Sequence, residues 1–373
     1  MRIAITRRGY ITELDGVNKF IFNLAEGLNQ LGCEVHIISH ALGGSQVSNI
    51  ASYAEKFFDF QGKFQIHALP FSYTNDALAL PLWFLNGSRL INKLEVDAVI
   101  INGIVPLNSR KVKIAVNHGI FTGSFLNTNR ITQHIYLQFA KHIYLYGIDL
   151  TVCVSSKLKE ELGKLLNIKS IVIPLPLKLN LYRTEPLGKR SPLVLHVGGR
   201  SSKNAEISIQ SMKILNEKYD LDVKLIIVGH KNAYLESLSA KYKYMVPKTL
   251  EFYFDASSLV VRDLMANAKA LILPSRYEAF SYVVLEALAS GLPVVVSSAI
   301  PSELVKDGFN GFRLLQYDPN LYAKRIKALL TDDDMWDGMS KNALKTARKY
   351  SHIKVAKLYL HAIQDIMRMK LNS

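Results

Sequence analysis

The chain reads as an α/β protein with two Rossmann-like domains. Short apolar runs alternate with amphipathic helical patterns along most of its length, the mark of parallel strands joined by crossover helices. The alternation breaks once, at residues 176–191 (PLKLNLYRTEPLGKRS), where charge and proline gather and the segment reads as a linker. The length of 373 residues suits two domains, each able to bury a core.

The elements follow in order. RIAIT, EVHIISH, KFQIHALP, VDAVIING, VKIAVNHG, DLTVCVSS and SIVIPL are apolar runs of strand length. The helix VNKFIFNLAEGLNQLG follows the first of them and stops at Gly32. After the break come PLVLHVG, VKLIIVG, TLEFYF, KALILPS, LPVVVSS and FRLL. From about Leu321 the pattern is helical to the end. We place an N-terminal domain at residues 1–180, a C-terminal domain at 181–350 and a closing helix at 351–373.

Composition narrows the class. The apolar fraction, 49%, is that of a soluble globular protein. The longest apolar stretches, such as ALALPLWFL, fall well short of the ~18–20 residues of a membrane span. The opening MRIAITRRGY is a first strand and not a signal peptide. Cys33 and Cys153 lack metal spacing and are expected to be buried free thiols in a reducing, cytoplasmic compartment. The net charge of +15 is spread through both halves and gathers in short clusters such as Arg7 and Arg8. It accompanies no nucleic-acid module, so nucleic acid is not the expected partner.

The most informative stretch runs from Pro274 to Val296, PSRYEAFSYVVLEALASGLPVVV. A buried strand feeds a polar turn carrying Glu278, and the helix that follows carries Glu286, with seven residues between the two. A carboxylate at the carboxyl end of a strand lies where open α/β sheets bind ligands. The helix N-terminus aims N–H groups at the same place, which suits a phosphate. Hydroxyls at both ends of a ligand and phosphates in its middle describe a nucleotide sugar. Upstream, HVGGRSSKNAEISIQSM ends a strand in Gly198-Gly199 and then supplies Arg200 and Lys203. Glycine allows close backbone approach, and two cations on one loop suit a diphosphate.

The Glu278–Glu286 stretch resembles the E-x7-E signature of the retaining glycosyltransferases of family 4, or group 1. The resemblance covers nearly the whole chain. It implies the GT-B fold, two Rossmann-like domains facing across a cleft, with the closing helix (KYSHIKVAKLYLHAIQDIM) crossing back onto the first domain. It implies that Arg200 and Lys203, with Gly199, bind the donor diphosphate. By the same resemblance Glu278 is expected to contact the sugar, the amides at Phe280 and Ser281 to bind sugar or phosphate, and Glu286 to hold the ribose. The family's usual EGFG reads EAFS here, and the alanine narrows the allowed dihedrals. His118, in VKIAVNHG, matches a family histidine near the transferred sugar. Gly16 matches the second member of a Gly-Gly pair beside the phosphates; the first is Asp15, which either repels a phosphate or binds an acceptor hydroxyl.

The Asp-x-Asp within TDDDMWDG sits between helical patterns and reads as a helix cap, so no metal and no cofactor is expected. The function expected is a metal-independent retaining transfer of a hexose-type sugar from a nucleotide diphosphate to a glycan or lipid-linked acceptor. A nucleotide-sugar epimerase on the same fold, or a non-catalytic GT-B binding protein, are the alternatives. The basic balance and the aromatic helical segments LALPLWFLNGSRL and ITQHIYLQFAKHIYLYG, the latter with Ile135, Phe139 and Ile143 at helical spacing, suggest peripheral contact with an anionic membrane.

Overall fold

A computed structural model of the protein describes residues 1–13, 15–40, 50–69, 81–103, 105–119, 130–246 and 248–372. Part of the segment LALPLWFLNGSRL lies outside the described residues. The chain divides into two compact units, Met1–Leu177 with Tyr350–Ser373, and Lys178–Lys349.

The first unit runs β1 (Arg2–Arg7), α1 (Gly16–Gln30), β2 (Glu34–His40), α2 (Ile50–Phe58), β3 (Gln65–Leu69), a π-helical turn (Trp83–Gly87) leading into α3 (Ser88–Lys93), β4 (Ala98–Asn102), β5 (Val112–Asn117), α4 (Arg130–Tyr146), β6 (Leu150–Cys153), α5 (Ser156–Leu166) and β7 (Ser170–Val172). The strands form one parallel sheet in the order β3-β2-β1-β4-β5-β6-β7. Covered on both faces, β1 and β4 carry unbroken apolar runs through their middles: Ile3, Ala4, Ile5, Ala98, Val99, Ile100 and Ile101 are fully buried. Cys33 and Cys153 are buried free thiols.

The second unit runs β8 (Leu193–Val197), α6 (Ala205–Tyr219), β9 (Lys224–Gly229), α7 (Ala233–Lys241), β10 (Leu250–Phe254), α8 (Ser258–Asn267), β11 (Ala270–Leu273), α9 (Tyr282–Ala289), β12 (Val294–Ser297), β13 (Gly311–Leu314), α10 (Pro319–Thr331) and α11 (Asp333–Ala347). Its parallel sheet has the order β10-β9-β8-β11-β12-β13. One apolar core joins Val194, Ile209, Met212, Leu225, Tyr322 and Trp336. Asp332 caps α11 by accepting from the Met335 amide at 2.8 Å, which gives one acid of the Asp-x-Asp a structural task.

The last helix, α12 (His352–Leu371), belongs to the first unit and packs on α1. The contact is close because Gly27 has no side chain: a Cβ there would lie 2.5 Å from the His352 carbonyl. The entry to α12 is tied down by backbone bonds from Leu177 to Tyr350 (2.8 Å) and from His352 to Leu177 (2.9 Å). On α4, Ile135 and Phe139 are exposed, whereas Ile143 is 7% exposed and faces the core. The third member of that row therefore packs inward.

The segment at residues 176–191 is not a loose linker. Arg190 is buried and donates to four backbone carbonyls, those of Glu185 (2.8 Å), Met265 (3.1 Å), Ala268 (2.9 Å) and Ser290 (2.7 Å). Its guanidinium also stacks 4.9 Å from the Trp336 ring. Burial lowers its pKa to about 10, which leaves it charged at neutral pH. Ser290 ends α9, so Arg190 anchors the base of the helix that carries Glu286. Arg190→Ala leaves those carbonyls without their donor and is expected to cost about 3 kcal/mol or more. Chemical denaturation checks this; a loss below about 1 kcal/mol would show that water replaces the guanidinium without penalty.

Candidate active site

In each sheet the strand order reverses once, and there the crossover helices part to opposite faces and leave a crevice at the carboxyl ends of the strands. In the second unit the reversal lies between β8 and β11, which are adjacent in the sheet. The loops that leave these two strands carry Gly199, Arg200, Lys203 and Glu278.

These loops are held together. The Lys203 ammonium pairs with the Glu278 carboxylate, and both side chains are largely buried. Ser275 donates to the same Glu278 oxygen at 2.9 Å, and the Arg276 amide donates to the Ser202 carbonyl at 2.8 Å. Gly198 has φ +138°, and a Cβ there would lie 2.7 Å from Cγ of Lys203, so glycine is needed to seat the lysine. Gly199 packs on β9: a Cβ on Gly229 would lie 2.8 Å from the Gly199 Cα, and Asn232 donates to the Gly199 carbonyl at 3.0 Å. Arg200 is exposed and precedes the 3₁₀ turn Ser201–Lys203.

Beyond Glu278, Phe280 is 2% exposed, so its ring packs into the core and presents no face to solvent. Ala279 is not among the residues with positive φ; the unusual backbone falls two positions later, at Ser281 (φ 109°, ψ 99°), the cap of α9. The expected restriction at Ala279 is thus displaced to Ser281. Glu286 is 8% exposed, within the buried face of α9 and not on a solvated one.

In the first unit the reversal lies between β1 and β4, where Arg7 and Asn102 are paired in register. Thr6 accepts from the Asn102 amide nitrogen at 2.8 Å, which turns the Asn102 oxygen toward His118 Nε2, also at 2.8 Å. Nε2 therefore carries the proton and Nδ1 is the acceptor. The imidazole stands edge-on to Phe20, with centroids 4.7 Å apart. Burial, and then the Arg7 charge, lower its pKa to about 3, so it is neutral at any working pH.

Arg7 is buried and binds Asp15 at 2.7 Å, and it also pairs with Glu13. Asp15 caps α1 as well, accepting from the Asn18 amide at 2.8 Å. Its carboxylate is thus spent on Arg7 and on the helix end, a third role beside the two expected. Gly16 is the exposed first residue of α1.

Sequence reasoning missed Arg7, Asn102, Ser275 and Asn232, and also His196. That histidine is fully buried at the end of β8, bonded to Ser208 Oγ (2.9 Å) and to the Gly198 carbonyl (3.2 Å). A charged or polar residue closing an apolar strand was the available signal. A groove of about 820 Å³ lined by Gln30, Glu34, Gln61 and Gln65 lies at the other end of the first sheet and includes none of the predicted site residues. Among the described residues, no cluster of His, Cys, Asp and Glu has the makings of a metal site.

The family described as Glycosyl transferases group 1 matches residues 180–346, and Glycosyltransferase Family 4 matches residues 14–180. The chain belongs to this group 1 / family 4 class of glycosyltransferases. It is 24% identical over 358 residues to an uncharacterized glycosyltransferase of Haemophilus influenzae, covering 91% of this chain and 94% of that one. In fold it is similar to a sucrose-phosphate synthase from Thermosynechococcus elongatus (TM-score 0.77, 17% identity, 99% and 100% covered). It is also similar to Anabaena HepE in complex with UDP and glucose (TM-score 0.74, 17% identity, 98% and 100% covered). These structural likenesses place the chain in the GT-B fold.

Three histidines share one consequence. Burial lowers His40 and His196 to about 4 and His118 to about 3. The unfolded chain takes up protons near pH 6.5 that the folded chain refuses until well below pH 5. Their contribution to stability is full above pH 6.5 and is lost as the pH falls, by about 1.4 kcal/mol per pH unit for each histidine. Denaturation midpoints at pH 7.5 and pH 5 should therefore differ clearly, while activity shows no imidazole ionisation from His118 between them. Equal midpoints would contradict the burial of these rings.

Proposed function

We propose that this glycosyltransferase moves a hexose-type sugar from a nucleotide diphosphate donor to an acceptor hydroxyl, with retention and without a bound metal or other cofactor. The observation that carries the proposal is the pairing of Lys203 with Glu278 at the strand reversal of the second unit, beside Arg200 and the start of α9. Cations and a helix N-terminus favour a diphosphate; a carboxylate among them is suited to sugar hydroxyls. HepE, similar in fold, was solved with UDP and glucose.

In this scheme the second unit takes the donor. Arg200 and Lys203 meet the diphosphate oxygens, Gly199 leaves room for them, and the amides at Phe280 and Ser281 point at phosphate or sugar. Glu286 accepts from the ribose hydroxyls and Glu278 from those of the sugar. The first unit takes the acceptor, with His118 as a neutral hydrogen-bonding group and Gly16 opening α1. As the bond from the anomeric carbon to the phosphate oxygen breaks, the acceptor oxygen bonds to that carbon. The acceptor proton passes to the departing phosphate oxygen on the same face. The cations lower the barrier because charge grows on the diphosphate as the bond breaks.

Lys203→Ala is expected to lower turnover about 10²–10³-fold with the fold retained. A thermal-shift screen of UDP-, GDP-, ADP- and dTDP-sugars should find at least one that raises the melting point, since a ligand of the folded state stabilises it. Turnover should persist in excess EDTA. Product formed without an acceptor would indicate an epimerase, and donor binding with no product a binding protein.

For the acceptor we propose a glycan or a lipid-linked sugar at the cytoplasmic face of a membrane. No helix among the described residues is long and apolar enough to cross one. Ile135, Phe139 and Leu145 of α4, and Phe84 and Leu85 of the π-helical turn, are exposed apolar groups on a chain of net charge +15. Such groups settle at a headgroup layer with help from basic neighbours. Sedimentation with anionic vesicles is expected to capture the protein and to weaken with salt. Failure to bind both anionic and neutral vesicles would favour a soluble glycan.

A further inference from the structure

We infer that the Ser281 side chain, and not only its backbone, binds a phosphate oxygen of the donor through its hydroxyl. The inference rests on the donor site proposed above and adds a ligating group to it.

Ser281 is an unusual cap. Several caps among the described residues have an extended backbone and turn the side chain back onto the helix, as Ser155 does in accepting from the Leu158 amide at 3.2 Å and Asn232 from the Leu235 amide at 3.0 Å, whereas Asn204 and Ser351 make no such bond. Ser281 instead sits at φ 109° and ψ 99°, where glycine is at ease and other residues are strained, and its side chain makes no bond to α9. The residue is 7% exposed, and its Oγ is buried with no hydrogen-bond partner. A buried hydroxyl with no partner is costly and calls for an explanation. Glycine at this position would remove both the strain and the orphan atom.

A ligand oxygen supplies the missing partner. The hydroxyl stands at the N-terminus of α9, where first-turn amides favour an anion. It lies three residues beyond Glu278, which is paired with Lys203 on the neighbouring loop. A hydroxyl that can donate, beside a cation and a helix N-terminus, selects an acceptor-only, negatively charged group. A phosphate oxygen fits that description better than a sugar hydroxyl or a cation.

Two variants separate a ligating role from a structural one. Ser281→Ala keeps the backbone strain and removes only the hydroxyl. Its melting point should equal or exceed the wild type, since the orphan hydroxyl is gone, while calorimetry with UDP, GDP, ADP or dTDP, whichever binds, should show affinity lowered about tenfold or more. Pyrophosphate should lose affinity by a similar factor. Ser281→Gly relieves the strain, so its melting point should rise by about 2–4 °C while the affinity loss remains. Wild-type affinity for the nucleoside diphosphate in either folded variant overturns the inference and leaves the donor site standing. If the wild type binds none of the four nucleoside diphosphates, the donor site and the inference fall together.

Discussion

The candidate active site depends on one contact, that between Lys203 and Glu278. The two residues are far apart in sequence and meet because β8 and β11 are neighbours at the point where the sheet reverses its strand order. Other features of the two loops are arranged around that pair. Gly198 makes room for the lysine stem, Ser275 shares the carboxylate, and the Arg276 amide bonds the other loop. Arg190 anchors the far end of α9 from beneath. A parallel sheet with both faces covered creates this crevice by topology alone; the side chains only decide what charge it holds.

The first unit solves the same geometric problem with different chemistry. Its crevice, between β1 and β4, holds Arg7, Asn102 and His118 in place of a lysine–glutamate pair. The Arg7 charge is met by Glu13 and Asp15 and still helps to keep the imidazole neutral. A neutral imidazole with Nε2 committed to Asn102 is a hydrogen-bond acceptor at Nδ1, not a cation. That distinction bears on any role His118 plays toward a sugar.

Much of this was legible from the residues. Apolar runs of strand length located the strands among the described residues, because a strand buried on both faces admits few polar residues. The Glu278–Glu286 and Gly198–Lys203 segments stood out because their chemistry is local, each held on a single strand–loop–helix unit. What escaped notice depends on distant partners. Arg190 looked like linker charge because its carbonyl acceptors lie on other elements. Arg7 stood out only as one of a basic pair with Arg8, because its acids come after a turn. Ile143 shared helical spacing with Ile135 and Phe139, yet a row on one face drifts around the helix axis and its last member reached the core. Backbone strain at Ser281 leaves no trace in composition, since serine is an ordinary cap; its one signal was the resemblance, whose usual EGFG has a glycine at this position.

In the proposed scheme the crevice between β8 and β11 takes the donor diphosphate. Hydrogen–deuterium exchange with and without a nucleoside diphosphate tests it without relying on turnover or on any variant. Protection should concentrate in residues 198–204 and 276–286, the two loops joined by Lys203 and Glu278. Protection confined to the groove around Gln30, Glu34 and Gln61 at the opposite end of the first sheet, with residues 198–204 unchanged, would contradict it.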